Sequence, residues 1–117
     1  MIPQGVQVFV ALEPVNLHLS FDRLAGFARE HIGYDARCGA LFLFFGKRRD
    51  ALKVLFFDGT GLCIFYKRLD RGTFRPPEPP SSGTTHVEID QATLDALLDG
   101  IDLGPPPARS SPLRRVH

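Results

Sequence analysis

The chain has no tryptophan, only two cysteines and no long apolar run, and each shortage excludes a class of protein. A membrane span needs about 20 consecutive apolar residues, and residues 1–5 lack the cationic start of a signal peptide. Cys38 and Cys63 stand alone in apolar sequence, which indicates free buried thiols rather than a disulfide framework. We therefore expect a soluble, cytoplasmic protein that does not contact a membrane.

The residues of a catalytic or metal centre are also scattered. The four histidines are far apart in sequence, and none has a metal-site spacing from a thiol or an acid. Asp50, Asp58 and Asp70 offer the carboxylates of a metal-dependent nuclease, but two lie in predicted turns and one follows a strand end. No Ser/His/Asp or Cys/His arrangement occurs locally. We expect no enzymatic activity, no cofactor and no metal ion.

What is present is enough apolar sequence for one domain of 117 residues with one core. Residues 6–12 alternate as a strand, and helical spacing then runs from a predicted N-cap at Ser20 to a C-terminal glycine at Gly33. Apolar runs at residues 40–45, 51–57 and 62–67 are joined by short polar connections, which predict consecutive hairpins. A short strand at residues 87–89 and a helix capped by Asp90, with Leu94, Leu97, Leu98 and Ile101 on its apolar face, complete the pattern.

This order of elements predicts an α+β fold: a small single domain in which an antiparallel β-meander of about four strands packs against one or two helices. Because the strands are apolar on both faces, a helix or a partner protein must cover the second face. We expect a core at residues 1–75 and a Pro/Ser/Gly-rich connector at residues 76–85. Residues 86–103 complete the same domain, and residues 104–117 form a disordered basic tail.

Two glycine-containing loops resemble phosphate-binding loops only superficially. Gly46-Lys47 lacks the correct preceding glycine spacing and the Ser or Thr that follows the lysine of a P-loop. Asp58-Gly59-Thr60-Gly61 lies between two strands and lacks the helix N-terminus that favours an anion. We interpret both as hairpin turns.

The charge of the chain is segregated, and this segregation predicts the functional surface. Residues 46–75 hold eight Lys or Arg against three Asp, whereas residues 76–107 hold six acids and no Lys or Arg. Cations beside aromatic rings suit a nucleic-acid surface, although such charges also solubilise turns. For Phe74 we favour a role as a core anchor. The predicted nucleic-acid or partner-binding residues are Lys47, Arg48, Arg49, Lys53, Tyr66, Lys67, Arg68, Arg71, Phe74 and Arg75.

Residues 42–74 resemble the core of a known family, the TnpB-type accessory proteins of the IS66 insertion sequences, which are distinct from the RNA-guided nuclease of the same name. The resemblance runs from about Gly5 to Leu103. It rests on a linked pattern of Lys53, Asp58-Gly59, Gly61, Tyr66-Lys67-Arg68-Leu69, Gly72 and Phe74. It implies a small protein that assists transposition, and it implies no catalytic residues.

The chain departs from the family pattern in two places. Family members usually carry an acid, an arginine and often a lysine where this chain has Asn16, His18 and Leu19. They favour tryptophan where this chain has Phe57 and Phe65.

Together these observations predict a non-enzymatic accessory protein for transposition of a bacterial insertion sequence. Its basic hairpin surface is expected to contact either DNA or the transposase and other proteins of the same element, or both kinds of partner. The alternative is a purely protein-binding assembly module, in which the acidic segment and an apolar sheet face bind the partner and the cations stay solvated. The sequence does not define the oligomeric state.

Overall fold

The computed structural model describes residues 5–100, and within that range the chain forms five strands and two helices. In chain order they are β1 (Val8–Ala11), α1 (Phe21–Phe27), β2 (Leu41–Phe45), β3 (Ala51–Phe57), β4 (Leu62–Arg68), β5 (His86–Ile89) and α2 (Gln91–Leu98). A π-helical turn, Ala28–Ile32, continues directly from α1. The predicted α+β class is confirmed.

The strands form one sheet in the order β4-β3-β2-β1-β5. β2, β3 and β4 make the predicted antiparallel meander, and β5 pairs antiparallel with β1. β1, however, pairs in parallel with β2, so the sheet is mixed and five-stranded where an antiparallel sheet of about four strands was expected. The reason is the helical crossover between β1 and β2, which returns the chain to the end from which β1 started.

Side chains alternate between the two faces of the sheet, and each face has its own apolar cluster. Phe9, Phe42 and Phe44 pack on the face that meets α1 and the π-helical turn. Val10, Leu43 and Phe45 pack on the opposite face, where α2 contributes Leu94 and Leu97. Helix α2 therefore covers the second apolar face of the sheet.

The helix ends lie at the predicted residues, and a wider turn follows α1. The carboxylate of Asp90 accepts a hydrogen bond from the Thr93 backbone N–H at 2.8 Å, which caps α2. Ser20 occupies the N-cap position of α1, but its side chain makes no capping bond. Gly33 ends the π-helical turn with φ of 91° and donates its N–H to the Ala28 carbonyl at 2.8 Å. That bond spans five residues, so the last turn is wider than an α-helical turn.

Some predictions fall on other parts of the chain or need correction. Ile101, the rest of residues 101–117 and the predicted basic tail lie outside the described residues, and the domain boundaries stay predictions.

Both cysteines are free, but Cys38 is exposed and Cys63 only half-buried, because neither points into a core cluster; the expectation of buried thiols was wrong. No helix in residues 5–100 is long and apolar enough to cross a membrane.

Candidate nucleic-acid interface

The direction of the strands brings the predicted cations together. β1 and β2 are parallel, and two antiparallel pairings in succession make β4 run in the same direction as β2. The segments that follow β1, β2 and β4 therefore leave the same end of the sheet. These segments are residues 12–20, the turn at residues 46–50 and residues 69–75.

Backbone hydrogen bonds hold these three segments against one another. The Leu69 N–H donates to the Asp50 carbonyl at 2.8 Å, and the Phe74 N–H donates to the Arg49 carbonyl at 2.7 Å. The Val15 N–H donates to the Phe45 carbonyl at 2.9 Å. Cations that are about 20 positions apart in the sequence are thus fixed on one end of the domain.

A concave site of about 810 Å³ lies at this end, on the face of the sheet that carries α1. We call it the basic cleft. One wall is formed by residues 14–18, and the other described lining residues include one acid, Asp50, and one exposed ring, Tyr66. The cations that line it are Lys47, Arg48, Lys53 and Arg68. The excess of positive charge suits an anionic ligand.

Lys53 fixes one side of the basic cleft. It lies opposite Tyr66 in the β3–β4 pair, and its Nζ is 5.2 Å from the centroid of the Tyr66 ring. The same Nζ donates a hydrogen bond to the Leu19 carbonyl at 2.9 Å, just before α1. The ammonium therefore ties the start of α1 to the sheet while it adds charge beside the ring.

Gly46 allows the wall of residues 14–18 to approach the sheet. A Cβ at this position would lie 2.8 Å from Leu17 Cδ1, closer than real Cβ contacts. Gly46 also starts the turn, because its carbonyl accepts the Arg49 N–H at 3.0 Å. Arg49 takes a left-handed φ of 62° in this turn, a conformation unusual for a side chain larger than glycine. The glycine that superficially resembled part of a phosphate loop thus serves a hairpin and a close packing contact.

Not every predicted contact residue lies in the basic cleft. Lys67 points to the opposite face of the sheet, where its Nζ donates to the Leu98 carbonyl at 2.7 Å, at the C-terminal end of α2. Phe74 is only 1% exposed and packs against Phe45, so its ring is not available to stack on a base and instead anchors the chain. Arg49, Arg71 and Arg75 are exposed near the same end of the sheet but do not line the cleft.

The opposite face carries a second depression, which we call the apolar groove. It measures about 620 Å³ and lies between β4 and α2, with Val54, Phe56, Phe65, Leu94 and Leu98 among its lining residues. Phe65 is 47% exposed there, and the neighbouring Tyr66 is 57% exposed in the basic cleft. Adjacent residues of β4 thus face two chemically different surfaces.

The acids considered for a nuclease are not gathered into one site. Asp58 lies in the β3–β4 turn, at the other end of β3 from Asp50. Its carboxylate accepts the N–H groups of Thr60 and Gly61 at 2.9 and 3.0 Å, and these bonds, the Thr60 N–H foremost, lower its pKa to about 2. This confirms that residues 58–61 form a hairpin turn. Within residues 5–100, no three His, Cys, Asp or Glu side chains are grouped as a metal site would require.

Sequence reasoning missed the contribution of residues 14–18, including Asn16 and His18. These residues line the basic cleft although they precede the cationic segment by about 30 positions. The available signal was the helical pattern between β1 and β2. Such a crossover favours a parallel pair, and the segments after two parallel neighbours lie at the same edge of the sheet.

Comparison with known proteins identifies the family of the chain. A model of the IS66 Orf2-like proteins matches residues 6–108. The chain belongs to this family. IS66 Orf2-like membership implies an accessory role associated with transposition, and it confirms the resemblance found in the sequence.

Two relatives of the IS66 Orf2-like chain come from Sinorhizobium fredii, and both are described as uncharacterized. The protein y4hO is 38% identical over 104 residues, which cover 87% of this chain and 88% of the relative. The protein y4jC is 30% identical over 99 residues, which cover 85% of this chain and 82% of the relative. No solved structure matches significantly.

Proposed function

We propose that this IS66 Orf2-like protein is a non-enzymatic accessory factor whose basic cleft binds the DNA on which the transposase acts. The observation that carries the proposal is the convergence of Lys47, Arg48, Lys53 and Arg68 in one concave site. Neutralised phosphates release condensed counterions, so a cluster of this kind supplies affinity without reading sequence.

The proposed cations are well placed for phosphate contacts. Lys47, Arg48 and Arg68 are exposed, so their charges reach a ligand without leaving a core. The turn that carries Lys47 and Arg48 is held to the segment after β4 by two backbone bonds of 2.7 and 2.8 Å. The backbone that carries these cations is therefore ordered before a ligand binds, which reduces the conformational freedom lost on binding.

A salt series tests this function directly. Affinity for labelled duplex DNA of random sequence is measured for the parent chain and for the double variant Arg48→Ala/Arg68→Ala. Loss of two phosphate contacts should make the negative slope of log affinity against log salt shallower by roughly 1.8, at about 0.9 for each phosphate.

The matched control is Arg29→Ala/Arg37→Ala, which removes the same charge from exposed residues that do not line the cleft. Arg29 pairs with Asp35 at 3.2 Å, and an exposed pair of this kind contributes little stability. The control should keep the parent slope. Equal slopes for all three proteins would contradict DNA contact by the cleft.

The apolar groove favours a second candidate function, that of a purely protein-binding assembly module. Its lining is mostly apolar, and Phe65 offers an exposed ring at its edge. Exposed aromatic side chains in apolar depressions are common anchors of protein interfaces. In this alternative the transposase contacts the groove, and the cations of the cleft remain solvated.

Copurification distinguishes the two functions. The tagged chain is isolated with its transposase, with and without nuclease treatment. Under the protein-binding function, the association survives nuclease and is weakened by Phe65→Ala but not by Arg48→Ala/Arg68→Ala. Under the DNA-binding function, nuclease removes the transposase, and the effects of the two variants are reversed.

A further inference from the structure

The basic cleft contains an exposed aromatic ring that the packing of the fold does not explain. Leu62 and Ile64 of β4 pack against the apolar cluster beneath α1. Tyr66 is the next residue on the same face, yet it lies outside that cluster and is 57% exposed. A large, exposed ring that lines a charged site is available to a ligand.

The surroundings of the ring define the chemistry of that ligand. The Nζ of Lys53 lies 5.2 Å from the ring centroid, and Lys47, Arg48 and Arg68 line the same cleft. A planar group that stacks on the ring would therefore lie near several cations, which favours a ligand that joins planar groups to anionic ones. Bases joined by phosphates have this arrangement, and stacking on aromatic side chains is the general means of binding single strands.

The exposed ring favours single-stranded over duplex DNA. The cleft is an open depression of about 810 Å³ between residues 14–18 and the turn after β2, large enough for a base with its flanking phosphates. In a duplex the base faces are stacked on one another and only base edges reach the grooves. The exposed Tyr66 ring can therefore stack on the free face of an unpaired base, whereas the faces of paired bases are already covered.

Resting on the proposed DNA-binding function, we propose that the basic cleft is a single-strand site, in which a base stacks on Tyr66 and the flanking phosphates contact Arg48 and Arg68. Lys53 is a positioning residue in this site. Its bond to the Leu19 carbonyl holds its ammonium over the ring, so the base stacks on the other face of the ring. The single-strand site thus gives the protein a preference for unpaired over paired DNA.

The first test compares affinities for a labelled oligothymidylate and for a duplex of the same length. The parent should bind the oligothymidylate more tightly. Tyr66→Leu should weaken oligothymidylate binding by about 5- to 150-fold, the loss expected for one stacked base, and leave duplex binding unchanged. Tyr66→Phe keeps the ring and should bind like the parent.

The matched control is Phe65→Leu, which makes the same kind of change at the next residue of β4. Phe65 is 47% exposed but faces the apolar groove, so oligothymidylate affinity should not change. Circular dichroism and thermal unfolding establish that each variant is folded. A ring that merely supported the fold would alter duplex and single-strand binding together.

Tyrosine fluorescence supplies an independent measurement, since the chain has two Tyr and no Trp. Tyr34→Phe keeps an aromatic ring against Phe9, where the centroids are 4.5 Å apart, and leaves Tyr66 as the only tyrosine. Oligothymidylate should quench this emission as the base stacks, and the duplex should not.

Three other outcomes would contradict either the single-strand site or DNA binding itself. Equal affinities for the oligothymidylate and the duplex, with no effect of Tyr66→Leu and no quenching, would overturn the single-strand site while leaving DNA binding intact. Equal loss of affinity for the oligothymidylate and the duplex in Tyr66→Leu would also overturn the single-strand site, because a paired base cannot stack on the ring. Absence of binding to either DNA would instead refute the proposed function itself.

Discussion

Removal of the Lys53 ammonium is the perturbation whose effect on stability follows most directly from the structure. In Lys53→Met the aliphatic stem is replaced by a side chain of similar length, so packing changes little. The change deletes the 2.9 Å hydrogen bond to the Leu19 carbonyl and the contact with the Tyr66 ring. The variant therefore isolates the contribution of the charge that ties α1 to β3.

The magnitude follows from these two contacts. A hydrogen bond with a charged partner contributes about 1.5–3 kcal/mol, and an exposed cation–π contact about 0.5–1 kcal/mol. Lys53 is half-buried, so water replaces part of both contacts in the variant. We expect the free energy of unfolding to fall by about 1–2 kcal/mol, equivalent to a Tm lower by roughly 4–12 °C.

Chemical denaturation of the parent and variant measures this difference. The control is Arg68→Met, which removes a positive charge from an exposed residue of the same cleft. Its free energy of unfolding should change by less than about 0.5 kcal/mol. Equal stability of Lys53→Met and the parent, or a larger loss in the control, would refute the reasoning that the ammonium holds α1 against the sheet.

Two further changes test the turns. Gly46→Ala should lower the free energy of unfolding by about 1–2 kcal/mol, because the new Cβ would lie 2.8 Å from Leu17 Cδ1 and force that side chain to move; a denaturation midpoint at or above the parent value would contradict this. The second change tests the turn at Asp58, whose pKa is about 2 in the folded state against 3.8 ordinarily. Between these two pKa values the unfolded chain binds more protons than the folded chain, so the free energy of unfolding falls as the pH drops from about 4 to about 2. Thermal unfolding across this range should show the fall in the parent and a smaller one in Asp58→Asn, and identical profiles would argue against the Thr60 and Gly61 bonds as its cause.

The elements of the fold could be predicted because their signals are local. The hairpins at residues 46–50 and 58–61 follow from polar glycine-containing connections between apolar runs, and the Asp90 cap follows from its position before a helical pattern. The parallel pairing of β1 with β2 is not local. The alternation of Val8, Phe9 and Val10 is the same in either direction, so strand order depends on packing between distant segments.

The candidate site was predictable in part, for the same reason. The segregated cations pointed to the end of the sheet where the basic cleft lies, but their distribution between its faces required the alternation of β4 to be applied residue by residue. That alternation sends Arg68 to the basic cleft and Lys67 to the end of α2. The wall of residues 14–18 could be inferred only from the helical crossover between β1 and β2, since nothing in its own sequence reports the contact between Leu17 and Gly46.

The alternation of β4 also has a genetic consequence. Phe65 and Tyr66 are neighbours in the sequence but belong to different surfaces, the apolar groove and the basic cleft. Adjacent codons should therefore yield separation-of-function alleles, with phenotypes that alternate along the strand with a period of two. A single-residue insertion early in β4 would exchange the two sets of side chains, so point substitution can tune one surface alone, whereas insertions and deletions alter both at once.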